Sequence, residues 1–212
     1  MDDVDRRYKA TLFKHIFKET EPFLDLYEGC SGRRLSTEDI TSFDLDSDVV
    51  QRERYNDVSF ITNDNRLIYL VEHQSTSNAN LAVKLGAYYF DLLKLWIEHM
   101  GVSIHTAKEV QFPKPELYAV YNGKTPYGKE YERYDCGEFM QINVPVIDIH
   151  YDGLKNKSAD NYLTGYAYLQ HEFECKQHEG WTDIKAFEYA VQQCKEKGFL
   201  RVEGVEPNPV FT

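Results

Sequence analysis

No apolar run in the 212 residues approaches the roughly 20 consecutive positions that a membrane-crossing helix requires. The opening stretch MDDVDRRYKATLF is charged from its first residues, which predicts neither a secretory signal nor a membrane anchor. Cysteine is scarce. The four present, Cys30, Cys136, Cys175 and Cys194, are far apart and show no C-x-x-C spacing, so they predict free thiols in a reducing compartment rather than a disulfide framework. Together these absences point to the cytoplasm. Positive charge is also short: 24 Lys and Arg against 35 Asp and Glu leave a formal net charge of −11. Coating nucleic acid through bulk electrostatics is thereby excluded, because such binding neutralises phosphates with many basic side chains. Any nucleic-acid role must be local or must borrow charge from a metal. Internal repeats and low-complexity tracts are missing too. What remains, 42% hydrophobic and 28% charged, is the composition of one compact globular domain with a core that needs no staples.

Apolar residues recur at helical spacing over residues 8–28, first Leu12, Phe13, Ile16 and Phe17, then Phe23, Leu24, Leu26 and Tyr27, with a break or restart at Pro22. Gly29 and Gly32 end this helix, and ITSFDLD at 40–46 reads as a short strand. Residues 79–100 form a long amphipathic helix that stops near Gly101 and needs a sheet to lie on. ELYAVYNG at 116–123 is a further strand. FMQINVPVIDIHY at 139–151 is another, and Pro145 makes it an expected edge. A polar loop rich in Gly, Lys and Tyr separates them. Helices follow over about 159–178 and 183–197, before a proline-containing end, EGVEPNPVFT. The order predicts an α/β sandwich around a small mixed sheet.

The chemistry lies in RYNDVSFITNDNRLIYLVEHQST, which starts at Arg54 and reads as a β-hairpin. If Asp64 and Asn65 make a two-residue turn, Asn63 pairs with Arg66, and counting outward along the antiparallel ladder sets Asp57 opposite Glu72. Alternation adds Gln74 to their face and gives Val58, Phe60, Leu67, Tyr69 and Val71 to the other, so the hairpin is expected to be amphipathic. Opposed like charges destabilise a sheet. A divalent cation would compensate, since Mg²⁺ is typically held by one or two carboxylates together with substrate phosphate oxygens. Spacing alone leaves a second reading open, in which both acids line a solvated sheet face. A three-residue loop would put them on opposite faces.

Around these residues the chain resembles the PD-(D/E)XK nuclease superfamily, in particular its transposase-like, recombination-promoting nuclease branch. The resemblance is carried by YKATLFKHIF, NDVSF around Asp57, LVEHQST around Glu72 and Gln74, the helix that follows, LYAVYNG and INVPVIDIHY, and it spans most of the chain. It implies a restriction-endonuclease-like α-β-β-β-α-β core over residues 1–153, a small mixed sheet flanked by helices, with residues 154–212 as a C-terminal helical extension packed on that core. It also implies that Asp57 and Glu72 ligate Mg²⁺ or Mn²⁺. Gln74 takes the place of the motif's lysine and can supply a hydrogen bond but no charge. Glutamine is usual there in this branch. Lys84 on the next helix is the candidate for a migrated cation, with a basic residue on a solvated helix face as the plain alternative. Glu19 and Glu21 are candidates for a first-helix acid, and Asn56 replaces the motif's proline. The implied function is a metal-dependent DNA endonuclease linked to recombination or mobile elements, acting on DNA and not on membranes, with a homodimer left open. The competing implication is a nuclease-fold protein, weak or inactive, that binds DNA or protein.

Three further patterns stand in the sequence. His171, Cys175 and His178 have spacings of four and three, which would align them for Zn²⁺ on one helical face, although a mixed polar surface explains them as well. NGKT at 122–125 is no P-loop, because Tyr118 stands where its first glycine should be. Tyr88, Tyr89, Phe90 and Trp96 fall in the amphipathic helix and are expected in the core rather than as a base-stacking platform.

Overall fold

The computed structural model describes residues 3–42, 58–154 and 161–200. Helices α1 (Asp3–Phe17) and α2 (Thr20–Ser31) open the chain, and a 3₁₀ turn (Thr37–Asp39) leads into β1 (Ile40–Ser42). Strands β2 (Val58–Thr62) and β3 (Leu67–Gln74) make the hairpin, and helix α3 (Leu81–His99) connects it to β4 (Lys114–Tyr121). Then come β5 (Tyr131–Asp135), β6 (Gln141–Asp148), the single turn α4 (Tyr151–Leu154), α5 (Tyr162–His178) and α6 (Asp183–Lys197). The fold is α/β: one open mixed sheet of six strands in the order β1-β2-β3-β4-β6-β5, with six α-helices among the described residues. No helix among those residues is long and apolar enough to cross a membrane, and the four cysteines are unlinked.

The helical break falls at Lys18 and Glu19 rather than at Pro22. Pro22 instead sits in the first turn of α2, where a missing N–H costs nothing because first-turn N–H groups have no intrahelical partner. Gly32 ends α2 at φ 69°, its N–H donating to the Glu28 carbonyl at 2.9 Å.

The hairpin has the predicted register: Val58 faces Val71, Phe60 faces Tyr69 and Ile61 faces Ile68. Asn65 occupies the turn at φ 57°, a conformation asparagine tolerates, and Asp64 Oδ1 accepts from the Arg66 N–H at 3.1 Å. The expected amphipathicity fails. Phe60, Tyr69 and Val71 pack with α1, α2 and α5 on one side, while Ile61, Ile68 and Leu70 pack under Leu81, Leu85 and Trp96 of α3 on the other. Strands β3 and β4 are parallel and joined by a helical crossover, which covers the second face.

Two further expectations are corrected at the far side of the sheet. Strand β6 is no edge, for it lies between β4 and β5. Pro145 stands where the strand changes partner: residues up to Pro145 pair with β5, and pairing with β4 starts at Val146. The proline thus sits where it withdraws no N–H from the β4 ladder. The loop expected between β4 and β6 contains β5, whose exposed positions alternate about a buried Glu132.

Candidate active site

Parallel β3 and β4 end side by side, and in open α/β sheets the crevice beyond such carboxyl ends is where ligands bind. Glu72 lies two residues from the end of β3, on the face covered by α3, and is only 4% exposed. A carboxylate that deep requires polar partners. Lys84 in the first turns of α3 supplies one, its Nζ in close contact with Glu72 Oε1. Gln74 Nε2 donates to the same oxygen at 3.3 Å. Lys84 also lies over the Tyr88 ring, 5.5 Å from its centroid, which orients the ammonium from behind.

Three of the predicted site residues, Glu72, Gln74 and Lys84, are thus brought together, and for Glu72 burial removes the solvated-face alternative. Asp57 and Asn56 lie outside the described residues. The first-helix acids are not at this place. Glu19 is the exposed N-cap of α2, and Glu21 lines an open cavity with Asp25, Arg34 and Asp39, on the side of the sheet away from α3.

Alternation sends His73, between Glu72 and Gln74, to the opposite face. There it packs against Phe13 at 5.1 Å between ring centroids and shares a 3.0 Å hydrogen bond with the Tyr166 hydroxyl. Burial, reinforced by the nearby Lys9 charge and resisted by the Asn122 amide, pushes its pKa down to about 3, so this imidazole is neutral. Lys9 itself is fully buried and paired with Glu174 of α5. No sequence motif announces this polar group. Its signal was a lysine on the apolar stripe of α1, four residues before Phe13.

Beyond the strand ends, the chain leaving β4 lies directly on the chain leaving β3. The Asn122 N–H donates to the Gln74 carbonyl at 3.1 Å, and a Cβ on Gly123 would come within 2.7 Å of the Ser75 carbonyl. NGKT is the start of this loop, followed by a strand and not by the helix that a P-loop needs.

His171 Nε2 and Cys175 Sγ lie 3.7 Å apart, as their spacing requires. Among the described residues, however, no group of three or more His, Cys, Asp or Glu side chains could hold a metal. Of the α3 aromatics, Trp96 is buried and donates from Nε1 to Asn65 Oδ1 at 3.1 Å, and Tyr88 and Tyr89 pack at the core margin. Phe90 is 46% exposed and departs from the core expectation, because it falls outside the stripe set by Leu81, Leu85, Leu92 and Trp96.

A hard divalent cation takes oxygen donors, and the described residues offer the Glu72 carboxylate and the Gln74 amide oxygen on one face at one strand end. That set fits a cation that keeps most of its waters and takes its remaining ligands from a substrate. No family model, no curated protein and no solved structure matches this chain.

Proposed function

We propose that this chain is a metal-dependent DNA endonuclease of the PD-(D/E)XK type, serving recombination or mobile-element chemistry. The observation that carries the reading is the buried Glu72 carboxylate at the end of β3, held by Lys84 and Gln74. An acid kept at a strand end at the expense of burial is more readily explained by function than by stability. The order of helix, three antiparallel strands, crossover helix and parallel strand supports a restriction-endonuclease-like core.

Asp57 and Glu72 would hold Mg²⁺ or Mn²⁺, which when bound supplies an activated water and polarises the scissile phosphodiester. Lys84 would release Glu72 and place its ammonium against the phosphate, supplying the charge that Gln74 lacks. Gln74 would orient the attacking water through its amide. With a net charge of −11, the chain would grip DNA through such local contacts and not through its general field.

A second reading, a nuclease-fold protein that binds DNA or another protein without cutting, draws on the same ion pair, because Lys84 already neutralises Glu72. Supercoiled plasmid incubated with Mg²⁺, Mn²⁺ or chelator decides between them. The nuclease reading expects nicking that requires the cation and disappears in Asp57→Ala and Glu72→Ala. Cleavage by both variants at the wild-type rate would overturn it, and metal-independent DNA retention without cleavage would favour the second.

A further inference from the structure

His150 follows β6 and stands at the same end of the sheet as Gln74. Its ring meets two oxygens. Nδ1 is in close contact with Asp148 Oδ1, and Nε2 lies 2.6 Å from the Gly123 carbonyl oxygen. A backbone carbonyl and a carboxylate both only accept, so each ring nitrogen must carry a proton. A neutral imidazole has one N–H to give and would set the lone pair of its other nitrogen against an oxygen. The geometry therefore describes an imidazolium.

The groups around the ring agree. Asp148 meets it from β6, Asp152 and Tyr151 of α4 and Glu174 and His171 of α5 line the same small cavity, and Tyr121 of β4 lies 6.2 Å away between centroids. Lys9 of α1 pairs with Glu174 of this set. Burial opposes the charge on His150, but Asp148, the Gly123 carbonyl and Glu174 outweigh it and raise its pKa above the ordinary value.

Gly123 opens the loop between β4 and β5, and that loop rests on the end of β3. A Cβ at Gly123 would lie 2.1 Å from the Tyr121 hydroxyl and 2.7 Å from the Ser75 carbonyl, so only glycine permits this approach. The Tyr121 hydroxyl donates to the Thr125 carbonyl at 2.7 Å, and Tyr127 further along meets Ser77 and the Asn78 backbone. The loop thus covers the segment that runs from Gln74 to Asn78; His150 ties its first residues to the chain leaving β6, while at its far end the Val146 N–H of β6 donates to the Glu130 carbonyl at 2.8 Å.

We propose that protonated His150 is a clamp: by donating to the Gly123 carbonyl it holds the β4–β5 loop against the end of β3 and so positions Gln74 beside Glu72. It is a positioning residue, since it touches neither Glu72 nor Gln74. A group whose folded pKa is raised is held on the acid side and released as pH rises through that pKa. The clamp is therefore tightest below the His150 midpoint, where both ring N–H groups are present, and loosens above it, where the neutral ring sets a lone pair against Asp148 or the Gly123 carbonyl. Its meaning for catalysis rests on the nuclease reading, whereas the clamp itself does not.

Two measurements on the metal-free 212-residue chain test it without DNA. In ¹⁵N-histidine NMR, both His150 ring nitrogens should be protonated at pH 6, with a midpoint above the free-imidazole value of about 6.5, and the Gln74 side-chain amide signal should shift with the same midpoint. By hydrogen-exchange mass spectrometry, peptides covering 122–130 should exchange about tenfold faster across the two pH units spanning that midpoint, after correction for intrinsic rates. His150→Gln keeps an N–H donor that does not titrate, so its loop should stay protected at every pH, while His150→Ala should be open at every pH. Should His150→Ala fail to fold, Asp148→Asn, which leaves the ring in place, should move the midpoint toward acid. A single protonated nitrogen throughout pH 5–8, a Gln74 signal blind to the midpoint, or a loop equally protected in all variants would overturn the proposal. A chain that cleaves no DNA would still display the clamp or lack it.

Discussion

Replacing Lys84 with Met removes an ammonium group and keeps an apolar stem over the Tyr88 ring, so the variant isolates the charge that meets Glu72. The partners differ in burial: the Glu72 side chain is 5% exposed and that of Lys84 34%. Breaking a buried pair from one side costs about 3–5 kcal/mol when the remaining charge stays buried. Lys84→Met leaves the Glu72 charge buried without this ammonium while Gln74 still donates, which sets the expected cost near the lower limit, about 3 kcal/mol. Glu72→Gln leaves Lys84, which reaches water by extending its chain, and should cost about 1 kcal/mol. The double variant removes both charges, so a coupling of about 2 kcal/mol should appear in the cycle. In a chain of this size 3 kcal/mol lowers the melting temperature by about 6–12 °C.

Metal should narrow the gap, by at most about 2 of the 3 kcal/mol. A cation must displace Lys84 to reach Glu72 Oε1, so Lys84→Met should bind Mn²⁺ about 30-fold more tightly, the factor that 2 kcal/mol represents. At a hundredfold excess over Kd a bound cation adds about 2.7 kcal/mol of stability. Urea unfolding in chelator, repeated with Mn²⁺ titrated by electron paramagnetic resonance, reads both quantities. If Lys84→Met matches wild type in chelator, or binds Mn²⁺ no better, the ammonium does not neutralise Glu72 in solution and the reasoning fails.

His73 makes the protein acid-sensitive: its folded pKa, near 3, lies below the unfolded value of about 6.5, so stability falls as pH drops between them, by up to about 1.4 kcal/mol per unit. In urea melts from pH 7 to pH 4, His73→Phe should start below wild type, having lost the Tyr166 hydrogen bond, and close or reverse that gap as pH falls; a constant gap would contradict the buried neutral ring. Asn65→Ala forfeits both left-handed tolerance and the acceptor for Trp96 Nε1, and should cost about 2 kcal/mol, against under about 1 kcal/mol for Asn65→Asp, which keeps both. Equal losses in chemical denaturation would mean that neither feature matters. Gly123→Ala drives a Cβ against the Ser75 backbone, where no side chain can move aside, and should cost about 2–3 kcal/mol together with lost protection in the β4–β5 loop. An unaltered unfolding curve would refute that close approach.

Helix α3 and the hairpin register were legible because local chemistry determines them. Apolar spacing marks α3 to within two residues of its observed start, and Gly101, at φ 60°, sits just past its end. Asp64 and Asn65 have few turn conformations open to them, and the register follows from the turn. Strand β5 was not legible. YERYD exposes charged positions and owes its extended form to pairing with β6, a contact between segments that local preference does not encode. The burial of Glu72 was hidden for a related reason: an antiparallel hairpin permits a wet face, and only the parallel addition of β4 with its crossover helix closes it. Glu72 could be singled out by position, and Lys84 through the family likeness. The Lys9–Glu174 pair and the His150–Gly123 contact join residues 165 and 27 positions apart, with no motif to announce them.

The same geometry explains a neutral residue at position 74. Gln74 Nε2 and Lys84 Nζ converge on one oxygen of a buried carboxylate, and together with Glu72 they sum to zero charge. Gln74→Lys would bring a second ammonium to that oxygen, with one carboxylate to serve both and little water to screen them. Like charges so placed should cost about 1–2 kcal/mol in chelator despite the added attraction to Glu72. Removing the first cation should then relieve the second. Gln74→Lys combined with Lys84→Met returns the group to one positive and one negative charge, and should recover most of the stability that either change loses alone. Thermal melts of wild type, both single variants and the double variant at pH 7 and low salt test this. Additive losses would mean that the two positions do not share Glu72. A fully stable Gln74→Lys would mean that the amide at 74 is kept for a reason other than charge.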